Sequence, residues 1–151
     1  MYEAWFDGIC EPVNPNGHAA YGCVIKRHGK VVFRDKQYVG HGKGMSNNVA
    51  EYAGVISVLK HLSTLPEIEN EPVIIRGDSR LVVNQMAGKW AARAGGYIPY
   101  FKQALALARG LKAQIQYEWI PREQNAECDD LSRDILRAKG IRFAIHRERV
   151  A

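Results

Sequence analysis

Apolar residues along the chain recur with two different periods, which predict five strands and four helices. Short apolar or alternating runs predict strands over 2–7, 20–27, 31–39, 73–77 and 113–120. Apolar residues at helical spacing predict a helix that starts near Ser46 or Asn47, either of which can cap it, and ends near residue 65. Further helices are predicted over 79–86, 98–109 and 125–139. In the last strand, Ile115, Tyr117 and Trp119 share one face, and Trp119 is expected in the core.

The order of these elements predicts a mixed sheet. The first three strands are consecutive, and a short hairpin at 28–30 joins the second to the third, so this half should be antiparallel. The later strands alternate with helices, which favours parallel crossovers into the same sheet. We therefore expect an α/β fold with helices on both faces of one sheet. Reactive groups in such folds collect at strand ends, where Asp7 and Asp78 both fall in this prediction.

Composition and charge limit the number of domains, the type of partner and the compartment of the protein. At 151 residues the chain is predicted to form one domain over 1–139 with a basic tail over 140–151. The formal net charge of +5 favours a polyanionic partner, although many basic proteins bind no nucleic acid. The three cysteines match no metal-binding spacing and predict reduced thiols. With neither a signal peptide nor an apolar run long enough to span a bilayer, we expect a monomeric cytoplasmic protein with no membrane partner.

The tail carries four residues that could bind an anion, namely Arg142, His146, Arg147 and Arg149. We expect it to pack on an edge of the domain or to be flexible, rather than to act as a nucleic-acid arm.

Four acidic residues are the candidate chemistry of this chain: Asp7, Glu51, Asp78 and Asp129. Two follow apolar runs and two lie near predicted helix starts, so the fold can gather them. Neighbouring carboxylates cannot all ionise cheaply without cations. Magnesium takes oxygen ligands and keeps several waters, so carboxylates without histidine or thiolate are the expected ligands. The pattern is typical of a magnesium site that cleaves a phosphodiester bond.

Each of these residues has a simpler explanation when taken alone. Asp7 with Gly8 is typical turn chemistry, Asp78 with Ser79 is typical of a helix cap, and Glu51 suits the positive end of a helix dipole. The last acidic position is the least determined, because Asp130 and Glu127 lie close to Asp129 and helical spacing does not choose among them.

The order and spacing of these motifs resemble the type-1 ribonuclease H family. The matching pieces are Phe6-Asp7-Gly8-Ile9-Cys10 with Asn14-Pro15, then Ser46-Asn47-Asn48-Val49-Ala50-Glu51, Gly77-Asp78-Ser79, and Pro121-Arg122-Glu123-Gln124-Asn125-Ala126-Glu127-Cys128-Asp129. The resemblance covers the chain to about residue 139, and its family pattern selects Asp129 over Asp130. Each piece alone is weak evidence, but four in the family's order make a strong resemblance.

The resemblance implies a ribonuclease H-like five-stranded mixed sheet in the order 3-2-1-4-5. It also implies an endonuclease that hydrolyses the RNA strand of RNA–DNA hybrids and leaves 3′-hydroxyl and 5′-phosphate ends. Two Mg²⁺ ions, with Mn²⁺ as an alternative, would be held by Asp7, Glu51, Asp78 and Asp129. Asp7 would bridge both ions, and Asp129 would join it on the ion that activates water.

The residues implied to contact the hybrid lie outside that acidic set. Four amides match positions that contact the minor groove, and Ser46 matches a contact to a DNA-strand phosphate. Amides both donate and accept hydrogen bonds, which suits reading a 2′-hydroxyl. The implied substrate-binding residues are Asn14, Ser46, Asn47, Asn48, Asn84, Lys89, Trp90 and Arg122.

The chain departs from many bacterial members of this family in two places. The segment 88–96 is short and weakly basic where those members have a basic, aromatic protrusion, so Lys89, Trp90 and Arg93 are expected to form a reduced version. The loop 121–128 contains no histidine, and Arg122 or Glu123 is expected to take its place. The shortened form resembles archaeal and some bacterial or phage variants.

Two other functions are open to a chain of this fold. One is a nuclease that cuts DNA, against which the pair Asn47-Asn48 before Glu51 argues. The other is a non-catalytic nucleic-acid-binding module, against which the presence of all four acidic residues argues.

Overall fold

The five predicted strands form one mixed sheet with the order β3-β2-β1-β4-β5. The structure, a computed structural model, describes residues 1–144. Strands β1, β2 and β3 are antiparallel, whereas β4 lies parallel to β1 and β5 lies parallel to β4. The expected fold and strand order are confirmed. The strands are β1 (Tyr2–Glu11), β2 (His18–Arg27), β3 (Lys30–His41), β4 (Pro72–Gly77) and β5 (Gln114–Trp119).

Within residues 1–144, four α-helices cover the two faces of this sheet. Helix α1 packs on β1 and β2 with α3 against it, α4 packs on the opposite face over β1 to β3, and the short α2 contacts β4 and β5. Ser46 caps α1 with its hydroxyl oxygen, which accepts from the Val49 amide at 3.1 Å, and Ser79 caps α2 in the same way. The helices are α1 (Asn47–Leu62), α2 (Arg80–Met86), α3 (Ile98–Gly110) and α4 (Ala126–Ala138).

Strand β1 is longer than the sequence predicted, and Asp7 therefore lies inside it rather than at its end. The reason is that β1 has a different partner on each side. It pairs with β2 along its whole length, to Glu11 opposite His18, but with β4 only as far as Trp5 opposite Arg76. Asp7 thus lies beyond the last β1–β4 pair, where the pairing of the two parallel strands has ended, while its backbone is still paired with β2.

Two apolar clusters stabilise the fold. The larger one lies between α1 and the sheet and contains Phe6, Tyr52 and Leu59, all fully buried. The smaller one lies under α4 and contains Ile9, Ala20 and Leu136. Burying such side chains stabilises a fold by about 1.5–3 kcal/mol each. The three cysteines are free and buried, as the sequence predicted for reduced thiols.

The first residues of the predicted tail pack against the domain. Phe143 lies against the smaller cluster, with the guanidinium groups of Arg133 and Arg137 over its ring, and the Ala144 amide donates to the Glu11 carboxylate at 2.9 Å. His146, Arg147 and Arg149 lie outside the described residues. Within residues 1–144, no helix combines the length and the apolar character that crossing a membrane requires.

Candidate active site

The parallel pairing of β1 with β4 places Asp7 and Asp78 side by side. The last pair of this ladder joins Trp5 to Arg76. Asp7 lies two residues after Trp5, and Asp78 lies two residues after Arg76. Neither is free to turn into solvent, because the Asp7 side chain is 5% exposed and one Asp78 oxygen is buried. The two carboxylates therefore meet at the carboxyl edge of the central strands, as the sequence predicted.

Helix α1 brings Glu51 to the same point because Gly8 lets it approach β1. A Cβ atom at position 8 would overlap the amide nitrogen of Glu51 and the carbonyl carbon of Ala50. A glycine is needed here for close approach of two backbones. The backbone amide of Gly8 also donates to Asp7 Oδ1 at 3.0 Å. The Asp7-Gly8 pair, which taken alone is typical turn chemistry, thus sets the distance between a strand and a helix.

Asp7, Glu51 and Asp78 form a compact cluster in which one carboxylate oxygen from each lies within 4.8 Å of the others. Glu51 Oε2 and Asp78 Oδ2 are buried and have no hydrogen-bond partner among the described residues. Burial and the negative charge of the neighbours raise the pKa of Asp7 and of Glu51 well above their ordinary values. Burial also raises the pKa of Asp78, although a hydrogen bond from Asn125 and the charge of Arg122 oppose the shift.

The composition of this cluster fits a divalent cation that prefers oxygen ligands. All three donors are carboxylates, and two of their buried oxygens have no hydrogen-bond partner within residues 1–144. Buried polar atoms without partners are uncommon in folded proteins, and a bound ion is one of the ordinary explanations. Mg²⁺ and Mn²⁺ match such a donor set, whereas softer ions favour sulfur or imidazole.

Asp129 lies beside this cluster but outside the group of three. Helix α4, which carries Asp129, packs on Gly22, the residue of β2 that pairs with Asp7. A Cβ atom at position 22 would lie 2.6 Å from the Cys128 carbonyl oxygen, so a glycine is needed for this approach. The Asp129 side chain is 19% exposed and its Oδ2 accepts from Arg133 Nε at 3.0 Å. Its charge and a hydrogen bond contribute to the raised pKa of Asp7. Asp130 is exposed, so Asp129 is the one of the two that faces the cluster.

Asn125 is the residue of the site that sequence reasoning missed. It is 2% exposed, and its Nδ2 donates to the Phe6 carbonyl oxygen at 2.8 Å. It also lowers the pKa of Asp78 by hydrogen bonding and so favours the charged carboxylate. The only local signal was an asparagine before a helix, which suggests a cap, but this side chain caps nothing. It joins β1 to the start of α4 instead.

The candidate minor-groove residues before α1 are partly bonded to one another. Asn14 Nδ2 donates to Asn47 Oδ1 at 2.8 Å, and the backbone N–H of Asn47 donates to Asn14 Oδ1 at 3.0 Å. This pair ties the β1–β2 connection to the helix start, and both side chains are exposed. Asn48 is half-buried beside them, and Ser46 is the helix cap. Four of the eight substrate-binding candidates thus lie together near Glu51.

The other candidates lie on α2 and in the loops. The Asn84 carbonyl oxygen accepts from the backbone amides of Lys89 and Trp90 at 2.8 and 3.2 Å, which folds the short segment after α2 back onto that helix. The side chains of Lys89 and Trp90 are exposed. Arg122 is exposed and close enough to Asp78 for its charge to lower the pKa of that carboxyl.

Trp119 is not in the core, contrary to the expectation from its strand pattern. It ends β5 at the edge of the sheet and is 37% exposed. Its indole Nε1 donates to the carbonyl oxygen of Asp78 at 3.1 Å, and the Arg80 guanidinium stacks on its ring. The period-2 pattern gave the correct face but not the burial, because β5 is an edge strand and the face that Trp119 shares with Ile115 and Tyr117 is only partly buried.

Comparisons with known proteins agree with this geometry. A family model described as reverse transcriptase-like matches residues 6–135. The bifunctional protein Rv2228c of Mycobacterium tuberculosis is 38% identical over 127 residues, which cover 83% of this chain and 33% of that protein. Ribonuclease HI of Halobacterium salinarum is 30% identical over 138 residues, which cover 88% of this chain and 63% of that protein. The chain therefore spans about one third of the first of these relatives.

Solved structures place the fold in the same group. The N-terminal RNase H domain of Rv2228c superposes with a TM-score of 0.77 at 32% identity, covering 93% of this chain and 97% of that one. LC11-RNase H1, whose crystal structure holds an RNA/DNA hybrid, superposes with a TM-score of 0.75 at 27% identity, covering 89% and 95%. With the family match over residues 6–135 and the superposition on an RNase H domain at 32% identity, this chain belongs to the type-1 ribonuclease H family.

Proposed function

We propose that this chain is an endonuclease that hydrolyses the RNA strand of RNA–DNA hybrids and leaves 3′-hydroxyl and 5′-phosphate ends. The observation that carries the proposal is the buried cluster of Asp7, Glu51 and Asp78 with its unpartnered oxygens. A related protein of the same fold, LC11-RNase H1, was solved with an RNA/DNA hybrid.

The four acidic residues would hold two Mg²⁺ ions, with Mn²⁺ as the alternative. When bound, such ions supply an activated water and neutralise charge on the leaving oxygen. Asp7 would be a ligand common to both, because it belongs to the cluster with Glu51 and Asp78 and also lies close enough to Asp129 for that charge to raise its pKa. Asp129 would share one ion with Asp7, while Glu51 and Asp78 would hold the other.

Several neighbours would keep these carboxylates in place. The Trp119 indole N–H donates to the carbonyl oxygen of Asp78 and so holds the main chain there. The Asn125 side chain donates to the Phe6 carbonyl oxygen and so holds the start of α4 against β1. Arg133 Nε donates to Asp129 Oδ2 at 3.0 Å. Orienting the partners of metal ligands in this way is a general feature of metal sites. In the proposed reaction, the oxygen of water would bond to phosphorus while the phosphorus–O3′ bond breaks, and a proton from that water would end on O3′ to give the 3′-hydroxyl.

Recognition of the hybrid would fall to exposed amides and cations around the cluster. The paired Asn14 and Asn47 retain free amide and carbonyl valences towards solvent, and Asn48 and Asn84 would extend this surface. Side chains with these groups can read a 2′-hydroxyl, which distinguishes RNA from DNA. We propose that phosphate contacts come from the remaining candidates, Ser46, Lys89, Trp90 and Arg122.

The cellular compartment of the protein is proposed from the state of its cysteine thiols. Three free, buried cysteines support a reducing compartment such as the cytoplasm. We also propose a monomer, which light scattering at several protein concentrations would check.

The test compares four labelled substrates in the presence of magnesium: hybrid, duplex RNA, duplex DNA and single-stranded RNA. We expect cleavage of the RNA strand of the hybrid, with product ends that a polymerase extends and a ligase joins. The matched Asp7→Asn variant, purified in the same way, controls for contaminating nucleases. DNA cleavage as fast as hybrid cleavage would support the DNA-cutting alternative. Hybrid binding without any cleavage would support a non-catalytic module.

A further inference from the structure

Arg80 and Trp119 form an exposed stack at the rim of the carboxylate cluster. The Arg80 guanidinium carbon lies 3.8 Å from the centroid of the indole ring, the shortest such cation–ring distance among the described residues. The Arg80 side chain is exposed, and the indole is 37% exposed. An arginine packed face to face on an indole is restrained in direction, because the ring fixes the plane of the guanidinium.

The position of this stack is set by Asp78. Trp119 is paired with Gly77 at the end of the β4–β5 ladder, and its Nε1 donates to the Asp78 carbonyl oxygen at 3.1 Å. Arg80 follows Asp78 by two residues and begins α2. The stack therefore lies on the β5 side of the cluster.

The guanidinium has no anionic partner within residues 1–144. It forms no ion pair there, although Asp78 is two residues away, and the nearby Glu118 is bonded to Arg76 at 3.0 Å instead. Stacking uses one face of the guanidinium and leaves the N–H groups at its edge available. An unpaired arginine with a fixed plane is suited to bind a phosphate with two parallel hydrogen bonds.

We propose that Arg80, held on Trp119, binds a backbone phosphate of the nucleic acid on the β5 side of the carboxylate cluster. The inference rests on the proposed function, because it takes the hybrid as the bound polyanion. The contact is independent of base sequence, since a phosphate carries no sequence information. It also adds to the bound surface a residue that the candidates from the sequence did not include.

Hybrid binding at several salt concentrations, in EDTA so that no strand is cut, tests the contact. Loss of one phosphate contact lowers the slope of log affinity against log salt by about 0.7–0.9. We expect Arg80→Gln to lower the slope by this amount and to weaken binding about tenfold at low salt, equally for hybrids of different sequence. The control Arg109→Gln removes the same charge from an exposed position at the end of α3, and it should keep the wild-type slope within about 0.2.

Two substitutions of Trp119 separate the stack from the hydrogen bond to Asp78. Trp119→Phe keeps an aromatic face but removes the N–H donor, whereas Trp119→Leu removes both. We expect the phenylalanine variant to keep most of the salt slope. The leucine variant should behave like Arg80→Gln, and the double variant should be no worse than either, because coupled residues are not additive.

The outcomes distinguish this inference from the proposed function. If the wild type binds hybrid but Arg80→Gln keeps its slope and affinity, the phosphate contact is wrong and the endonuclease proposal is unaffected. If the wild type binds no hybrid at any salt concentration, both fail. A lower melting temperature for Arg80→Gln with an unchanged slope would mean that the stack is packing only.

Discussion

Gly8 lies against the backbone of Glu51 so closely that a side chain at position 8 would overlap the Glu51 amide nitrogen. This contact joins the strand that carries Asp7 to the helix that carries Glu51. The separation of the two carboxylates is therefore set by backbone packing, and not by the flexibility of either side chain. Both residues are nearly fully buried, so neither can adjust by moving into solvent.

Gly8→Ala should therefore damage stability and the site together. The added methyl group forces α1 away from β1, and overpacking of this kind costs about 1–3 kcal/mol. We expect that loss in the free energy of unfolding by urea, together with a fall in hybrid cleavage under conditions where the variant is still folded. Gly110→Ala is the matched control, because a Cβ at that position meets nothing within 4 Å. It should leave cleavage unchanged and stability equal or slightly higher.

The sequence predicted the elements that local chemistry specifies. The mixed sheet, the helix starts at Ser46 and Ser79 and the meeting of Asp7 with Asp78 follow from periodicity, caps and crossovers over short stretches. The strand order came instead from the resemblance to the type-1 ribonuclease H family. The sequence could not predict contacts between distant segments. The length of β1 depends on β2 as its second partner, and Asn125 bonds to Phe6, which lies 119 residues away in the chain.

Asp7→Asn should abolish cleavage and leave the metal-free protein equally or more stable. Burial and the charges of Asp78 and Asp129 disfavour the ionised Asp7 carboxylate, and an amide removes that repulsion. Thermal unfolding in EDTA checks the stability, and the hybrid assay checks the activity. A large fall in melting temperature would instead assign a structural role to Asp7.

Magnesium should stabilise the wild type more than the Asp7→Asn variant. An ion that binds only the folded state adds about 2.7 kcal/mol at a concentration of 100 times its Kd. The same thermal experiment, repeated across a magnesium titration, measures this without any nuclease activity. Equal shifts for both proteins would argue against Asp7 as a ligand. Sodium chloride at matched ionic strength controls for general screening.

Asp35 gives a separate prediction about acid stability, away from the active site. Burial would raise its pKa, but hydrogen bonds from Tyr21, Ser57 and Gln37 together hold the pKa below its usual value. A carboxyl with a lowered folded-state pKa contributes stability above its unfolded value of about 4, and this contribution is lost as pH falls below that point.

Asp35→Asn should therefore cost about 1 kcal/mol or less of unfolding free energy at pH 7, because the carboxyl is partly exposed and solvent screens its charge, and the cost should be smaller below pH 4. Urea unfolding at pH 7, 5 and 3 measures the difference from the wild type. Asp134→Asn removes the same charge from an exposed position and serves as the control. A deficit of equal size at all three pH values would show that the carboxylate charge of Asp35 contributes nothing.

Asn125→Ala should weaken both the fold and the site. It leaves the buried Phe6 carbonyl oxygen without its partner, which costs about 1–3 kcal/mol, and it removes the bond that favours charged Asp78. Loss of such a partner lowers metal affinity or activity by about 10–100-fold. The magnesium dependence of melting temperature separates the two effects. A variant that is destabilised but has the wild-type magnesium response would have lost only a structural contact.

Asp129 and its neighbour Asp130 provide the sharpest test of the acidic set. Asp129 is half-buried beside Asp7 and bonded to Arg133, whereas Asp130 is exposed on the next position of the same helix. Because successive helix residues point about 100° apart, only one of them can face the cluster. We expect Asp129→Asn to lower hybrid cleavage by more than about 100-fold and Asp130→Asn to change it by less than about twofold.

Both variants remove one negative charge from the first turns of α4, so their effects on helix stability should match within about 0.5 kcal/mol. Any difference in cleavage then reports on the active site and not on folding. Initial rates over a range of magnesium concentrations complete the measurement. If Asp129 is a ligand, its variant should need more magnesium for half-maximal rate, while the Asp130 variant keeps the wild-type requirement. The reverse result would move the fourth acidic position to Asp130 and require α4 to rotate relative to β2.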